Sequence, residues 1–260
     1  MRNRIEAWVN RFRHMAARLP LGRGRECCMC GAKIGRFLPY RSGWQGAPPL
    51  MRSFEVVGSD LDNYLCPVCG CHDRERHLLF YLRQAGLMEK IRGWEVLHFA
   101  PEARLTSFIE RAAPARYVLA DLFPTRAGIE RVDLLAIPYA ASTFDVVIAN
   151  HVLEHVADDL RALSEVRRVL KVGGYAILQT PYSGLLESTF SDPGVRSDAA
   201  RLQIYGQEDH VRLYGRDIFA RFASAGFVNK VALHAQALPA VDPIRYGVNP
   251  QEPFFLFEAA

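Results

Sequence analysis

The chain has 260 residues, 50% of them hydrophobic, 23% charged and 11% aromatic, with a net charge of +4. That composition suits one globular core with a small appended module, and it excludes collagen-like, disordered and coiled-coil chains. The longest stretch free of charge, Val172 to Leu186, has 15 residues interrupted by glycines and a proline, short of the ~18 apolar residues needed to span a bilayer.

Charge is concentrated at the start. Residues 1–25 hold seven arginines and one acid, Glu6, a net of +6 that leaves the remainder at −2. Ile5, Trp8, Val9, Phe12, Met15, Ala16 and Leu19 recur at helical spacing, with arginines on the other face. This predicts an amphipathic helix over residues 1–19, docked on the body, on a partner protein, on anionic lipid or on RNA. No signal-peptide apolar core stands among these arginines, so the expectation is a cytoplasmic protein, at most peripheral to a membrane. The net acidic body argues against a nucleic-acid partner except through the arginines.

All six cysteines lie between positions 27 and 71. Two of the segments, Cys27-Cys28-Met29-Cys30-Gly31 and Cys66-Pro67-Val68-Cys69-Gly70, are C-x-x-C turns followed by glycine. Such a turn aims two thiolates at one ion, and the glycine accepts the positive φ that closes it. Two knuckles predict a structural Zn2+ held by Cys27, Cys30, Cys66 and Cys69, with Cys71, His72 or His77 able to replace one ligand. The Pro- and Gly-rich segment Ser42 to Leu50 is the excursion between the knuckles.

Asp73 can cap a helix that runs to about Gln84 and stops at Gly86. Strands and helices then alternate. Strands are expected at Glu95–Phe99, Arg116–Ala120 ending on Asp121, Val132–Leu135, Phe144–Ala149 and Tyr175–Thr180. A helical stripe of Leu105, Phe108, Ile109 and Ala112 ends at Pro114. Another helix begins near Asp158 and stops at Gly173-Gly174, and a third covers Asp217–Gly226. Phe227–His234 and Phe254–Phe257 are late strands that could pair antiparallel. Repeated β-α units imply an α/β fold, a mostly parallel sheet with helices on both faces and ligands beyond the carboxyl ends of its strands. The residues there are His98 to Glu102, Asp121, Asp133 with Leu134, Asn150 with His151, and Thr180 onward. The glycine-free loop His98-Phe99-Ala100-Pro101-Glu102 is no phosphate cradle, which disfavours a dinucleotide-dependent dehydrogenase.

The run from Val132 to Val147, the block Asn150-His151-Val152-Leu153-Glu154-His155-Val156 and the segment Glu165 to Gly174 together resemble class I S-adenosylmethionine-dependent methyltransferases. The resemblance is to the branch acting mostly on small molecules and extends from about Trp94 to the C-terminus. Within it, the first loop is similar to a subgroup with a His-x-Ala-Pro-Glu turn and two preceding cysteine knuckles. The resemblance implies a Rossmann-like seven-stranded sheet whose last strand is antiparallel. It divides the chain into a basic helix (1–25), a zinc-binding module with a linking helix (26–86) and a methyltransferase domain (87–260). It further implies that Asp121, with Leu122 beside it, holds the ribose hydroxyls of S-adenosyl-L-methionine. Asp133 and the Leu134 backbone would meet adenine, the turn from His98 through Phe99 and Ala100 to Glu102 would line the methionine end, and Asn150 would stand near the methyl.

Methyl transfer from a sulfonium needs positioning and removal of the acceptor's proton. The polar stretch Pro181 to Leu213 is long for a connection. His210 and Glu208 within it, and His151 beyond the fourth strand, are the candidate catalytic residues, whereas His155 reads as packing below the site. The expected activity is methylation of a small-molecule acceptor such as a sugar or glycan precursor. The competing readings are an RNA methyltransferase using the zinc module and the basic tail, and a non-catalytic scaffold whose cofactor site has decayed.

Overall fold

The computed structural model describes residues 14–19 and 24–260. Most of the helix expected over 1–19 therefore lies outside the described residues. Residues 14–18 are helical, and their end rests on the cysteine-bearing segment. The Ala17 carbonyl accepts from the Gly35 amide at 2.9 Å, and Arg18 Nε donates to the Pro67 carbonyl at 3.0 Å.

The centre is a seven-stranded sheet. Its strands are β3 (Glu95–Phe99), β4 (Arg116–Asp121), β5 (Ile129–Arg131), β6 (Phe144–Ala149), β7 (Leu170–Ile177), β8 (Phe227–Asn229) and β9 (Leu256–Ala259), in the order β5-β4-β3-β6-β7-β9-β8. The first five pair parallel, and β9 runs antiparallel between β7 and β8. A two-stranded antiparallel ribbon, β1 (Arg25–Glu26) with β2 (Lys33–Ile34), precedes it. The chain reverses strand order between β3 and β6, so a crevice opens beyond their carboxyl ends.

Side chains alternate across the sheet as the period of a strand requires. Leu97, Phe99, Val147 and Ala149 belong to one core, with Leu163, Val166 and Val169 of the helix Asp159–Val169 packed in it. Val96, Val146, Ile148 and Ile177 belong to the other. That second core also holds Leu78, Leu79 and Leu82 of the helix Asp73–Gln84, Leu105 and Ile109 of the helix Ala103–Arg111, and the buried Cys27, Cys66 and Cys71. The cysteine-bearing segment is thus continuous with the sheet's own core through the helix Asp73–Gln84.

Several boundaries differ from expectation. His72, not Asp73, is the N-cap of that helix, and its amide is satisfied by Glu75 Oε2 at 2.7 Å. The third strand is Ile129–Arg131, not Val132–Leu135. Asp133 there accepts the Leu135 amide on its side chain at 2.9 Å and the Ala136 amide on its carbonyl at 3.0 Å, so the chain turns instead of pairing. The glycine pair does not separate helix from strand. The helix ends at Val169, and β7 begins at Leu170 and carries an irregularity through Gly173 and Gly174. A Cβ at Gly174 would lie 2.9 Å from the Lys171 carbonyl and 3.0 Å from that of Asp145, so glycine lets two backbones approach there. The strand expected to reach His234 stops at Asn229, and His234 opens a helical turn to Ala237. Its partner is Leu256–Ala259 rather than Phe254–Phe257.

Asp159 ties the helix Asp159–Val169 to the helix Ile218–Ser224. Arg221 grips it with two bonds of 2.6 and 2.7 Å, the Tyr214 hydroxyl donates at 2.9 Å, and Arg212 stands 3.6 Å away. Burial opposes the Asp159 charge, but the two guanidinium groups outweigh it and hold the carboxyl below its ordinary value. Breaking a buried pair on one side costs ~3–5 kcal/mol. Asp159→Asn should therefore lower the midpoint of thermal unfolding by roughly 10 °C at pH 7. A carboxyl with a depressed folded pKa stabilises above its unfolded pKa, and that contribution is lost as pH falls through the folded value. Melts of both proteins should differ by a constant gap above about pH 4 that narrows below it. A gap unchanged at pH 3 would remove the charge as its source.

Candidate active site

A cleft of about 1030 Å³ lies at the carboxyl ends of the strands. One end is built by the turns after β3, β4 and β5. At the first, Ala100 has φ of +47°, a left-handed conformation rare for a residue with a Cβ. Its amide donates to the Ala120 carbonyl at 2.8 Å, and Glu102 then leads into the helix Ala103–Arg111. At the second, Asp121 Oδ1 accepts the Phe123 amide at 2.8 Å. At the third stands the Asp133 turn described above. Phe99, Ala100, Asp121, Leu122, Asp133 and Leu134 all line the cleft.

Three residues expected along the cofactor stand behind this surface instead. His98 is fully buried and shares the sheet face of Val96, opposite Phe99. Its Nδ1 meets the Tyr117 hydroxyl at 2.8 Å and its Nε2 meets Glu102 at 3.1 Å. Asn150 donates to the other Glu102 oxygen at 2.6 Å. Burial opposes ionisation of Glu102, but the His98 hydrogen bond and charge, with the charge of Arg74, hold its carboxyl below the ordinary range. His98, Glu102 and Asn150 therefore brace the Ala100 turn, a fastening that glycines in the same loop would not need.

The other end of the cleft is lined by His151, Glu154 and His155, by Tyr205, Asp209 and His210, and by residues from between the knuckles. His151 has φ of +55° and its amide donates to the Gln179 carbonyl at 2.8 Å. Its ring lies between two buried carboxylates, Glu154 at 3.4 Å and Glu252 at 3.2 Å. Burial works against a charge on this ring, yet those carboxylates raise its pKa to about 9. His151 is a cation at neutral pH, suited to holding the two acids and not to taking up a proton. Burial lowers the pKa of His210, whose Nδ1 is paired with the Tyr205 carbonyl at 3.0 Å. Glu208 does not line the cleft. It is exposed and paired with Arg41 at 2.7 Å on the rim.

His155, read from sequence as packing, lines the cleft and pairs through Nδ1 with Asp209 at 3.2 Å. Arg212 fixes this corner by donating to the carbonyls of Leu153, Val156 and Ala157 at 2.6 to 2.9 Å. The excursion forms a further wall. It is stitched to the segment after β7 by paired Val57 and Tyr182 amide bonds of 2.8 and 3.0 Å, and Tyr40, Trp44, Met51 and Tyr64 line the cavity. Arg74, in the first turn of the helix Asp73–Gln84, lines it too. Its Nε is buried with no hydrogen-bond partner among the described residues. A cationic side chain just past a metal knuckle gave no sequence signal of this placement.

The four cysteines converge as the knuckles require. One sulfur from each of Cys27, Cys30, Cys66 and Cys69 lies within 4.8 Å of all the others. Cys27 and Cys69 are 3.8 Å apart, the edge of a tetrahedron with Zn–S bonds of ~2.3 Å. Cys71 is a fifth sulfur, 3.4 Å from Cys27. His77 is engaged elsewhere, with His234 at 2.8 Å and Glu252 at 3.3 Å, and His72 stacks on Tyr64. Beside the sulfurs, fully buried Arg76 reaches the carbonyls of Asn63, Tyr64, Cys71, Tyr246 and Gly247, with Cys71 Sγ 3.6 Å from it. None of these partners is a carboxylate, and four thiolates around a dication carry the net negative charge that a buried guanidinium needs nearby. The donor set thus fits zinc.

Residues 93–178, a third of the chain, match the family described as methyltransferase domain. Among solved structures, the CurJ carbon methyltransferase is similar at 21% identity and a TM-score of 0.47, over 72% of this chain and 55% of that one. The chain therefore spans about half that protein's length. An S-adenosylmethionine-dependent methyltransferase from Mesorhizobium loti is similar at 16% identity and a TM-score of 0.45, over 68% of this chain and 94% of that one. No curated protein matches. Among the described residues no helix is long and apolar enough to cross a membrane.

Proposed function

We propose that the chain transfers a methyl group from S-adenosyl-L-methionine to a small hydroxylated acceptor, such as a sugar or glycan precursor, with a structural zinc holding one wall of its cleft. The observation that carries this reading is the pair of acids, Asp121 and Asp133, at adjacent turns of one cleft that Glu154, His155 and His210 also line. A carboxylate at the end of the second parallel strand suits a ribose diol, which donates two hydrogen bonds. Asp133 and the Leu134 amide suit the edge of adenine.

Arg74 is the remaining charged group at the methionine end. Its unpartnered guanidinium fits a carboxylate, which arginine binds with two parallel hydrogen bonds. The bound cofactor supplies a methyl already activated on a sulfonium, so the chain's own work is alignment and exclusion of water. The acceptor's proton leaves at the far end, where Glu154, His155 and His210 meet. Trp44, Tyr40 and Tyr64 offer flat apolar faces beside polar groups, as a small polyol requires. A nucleic-acid strand asks instead for an open basic groove, and this cleft is walled by acids as well as arginines.

The test is formation of S-adenosylhomocysteine when the zinc-loaded protein meets the cofactor and a panel of nucleotide sugars and monosaccharides. Turnover with one acceptor class, reduced at least tenfold in Arg74→Ala through a raised cofactor KM, is the expected result. Cofactor binding with turnover on RNA alone would replace the acceptor class. No binding at millimolar cofactor would leave the scaffold reading.

A further inference from the structure

Glu154, His155 and His210 come from two segments some 55 residues apart, yet one ligating atom from each lies within 4.8 Å of the other two. The backbone joins the segments directly, since the Val211 amide donates to the Glu154 carbonyl at 2.9 Å. Each of the three side chains is held from behind. Glu154 Oε2 accepts from Thr180 Oγ1 at 2.8 Å, His155 Nδ1 faces Asp209 at 3.2 Å, and His210 Nδ1 is bound by the Tyr205 carbonyl at 3.0 Å. What remains free is the other half of each group. Glu154 Oε1 is buried and faces the His151 ring at 3.4 Å without forming a hydrogen bond, and both imidazoles are held through Nδ1, which leaves Nε2 for a ligand. The two rings stand edge to face at 86°, with centroids 4.7 Å apart.

A metal-binding histidine characteristically gives its second ring nitrogen to a carbonyl or carboxylate, which fixes the tautomer and leaves a lone pair for the ion. Both histidines show that arrangement here, and the carboxylate converging with them is held by Thr180 through one oxygen while the other has only the His151 ring at 3.4 Å and no hydrogen bond. Two nitrogens and one oxygen suit Mn2+, Fe2+, Co2+ or Zn2+ better than Mg2+ or Ca2+. All three residues line the cleft, so the open coordination positions face the acceptor chamber.

We propose that Glu154, His155 and His210 bind a divalent transition-metal cation at the acceptor end of the cleft, and that the acceptor ligates this cation through one hydroxyl or two neighbouring oxygens. The role of the cation rests on the methyl-transfer reading; its binding does not. A bound hydroxyl is more acidic, so the acceptor would release its proton to solvent at the mouth of the cleft without a dedicated side-chain base, and its oxygen would then attack the methyl of the sulfonium with the thioether as leaving group. The site is separate from the four-cysteine cluster, whose sulfurs disfavour Mn2+.

The test is titration of the full zinc-loaded chain with Mn2+ alone, followed by the loss of the free-ion electron paramagnetic resonance signal. About one Mn2+ per chain should bind, at least 100-fold more weakly in Glu154→Gln and His210→Gln. Asp209→Asn alters only the outer partner of His155 and should weaken binding 10–100-fold with folding unchanged, while Glu187→Gln, exposed and distant, should have no effect. No Mn2+ binding at 1 mM, or binding that survives both Glu154→Gln and His210→Gln, overturns the proposal. S-adenosylmethionine binding, measured by calorimetry on the same proteins, separates a failed metal site from a failed methyltransferase reading.

Discussion

Cys66→Ser should lose stoichiometric zinc and, with it, the wall of the cleft. Cys66 is buried in the second core, its amide bonded to the Cys71 carbonyl and its own carbonyl to the Gly70 amide. The segment between the knuckles has little core of its own, with Met51 packing against Tyr205 and Leu213 as a small separate cluster. Structural zinc contributes ~10–16 kcal/mol to folding of modules this small, far more than that cluster can replace. A fall in the unfolding midpoint of more than 10 °C, or a new low-temperature transition, is expected in melts, and elemental analysis should show less than a tenth of an equivalent of zinc. Cys28→Ser should keep its zinc, since Cys28 is not among the four converging sulfurs. Cys71 sharpens the test. Loss of zinc in Cys71→Ser with retention in Cys30→Ser would exchange the exposed Cys30 for the buried Cys71 as fourth ligand. Full zinc in Cys66→Ser would show that Cys66 is not a ligand and that the metal does not hold this wall.

The sheet was legible because its strands bury both faces and so read as short apolar runs. Glu95–Phe99 and Phe144–Ala149 match expectation to the residue. The errors fall where a side chain or a glycine overrules hydrophobicity. Val132–Leu135 is as apolar as a strand, but the Asp133 carboxylate turns it; Gly173-Gly174 looks like a stop and is a close backbone approach within β7. Asp121, Leu122, Asp133 and Leu134 could be placed along one cleft because they follow strand ends. The place of the His98 side chain was not legible, because proximity to a strand end does not say which face a residue takes, and alternation puts it behind the surface that Phe99 shares. The acceptor end was least legible. Its walls come from Tyr40 to Tyr64 and from the Glu154–His155 turn, which meet only through long-range pairing such as that of Val57 with Tyr182. No local spacing encodes that contact.

Asp121→Ala should weaken S-adenosylmethionine binding by roughly 100–10,000-fold. Only one Asp121 oxygen is committed, to the Phe123 amide; among the described residues the other has no partner. That leaves one carboxylate oxygen and the remaining lone pairs of the first to receive both ribose hydroxyls, and hydrogen bonds to a charged group contribute ~1.5–3 kcal/mol each. Two of them convert to the stated loss at ~1.4 kcal/mol per tenfold. Asp133→Ala removes a single acceptor from adenine while the Leu134 amide stays, so its effect should be nearer tenfold. Stability should change little in Asp121→Ala, because the only internal bond lost is the one to Phe123, worth ~1 kcal/mol. Calorimetric titration of the three proteins orders these effects. A wild-type affinity that Asp121→Ala leaves intact would move the ribose away from β4, and with it the reason for placing the acceptor beside Glu154 and His210. The two ends of the cleft are coupled by geometry alone: the methyl can reach the far chamber only if the nucleoside is anchored at the near one.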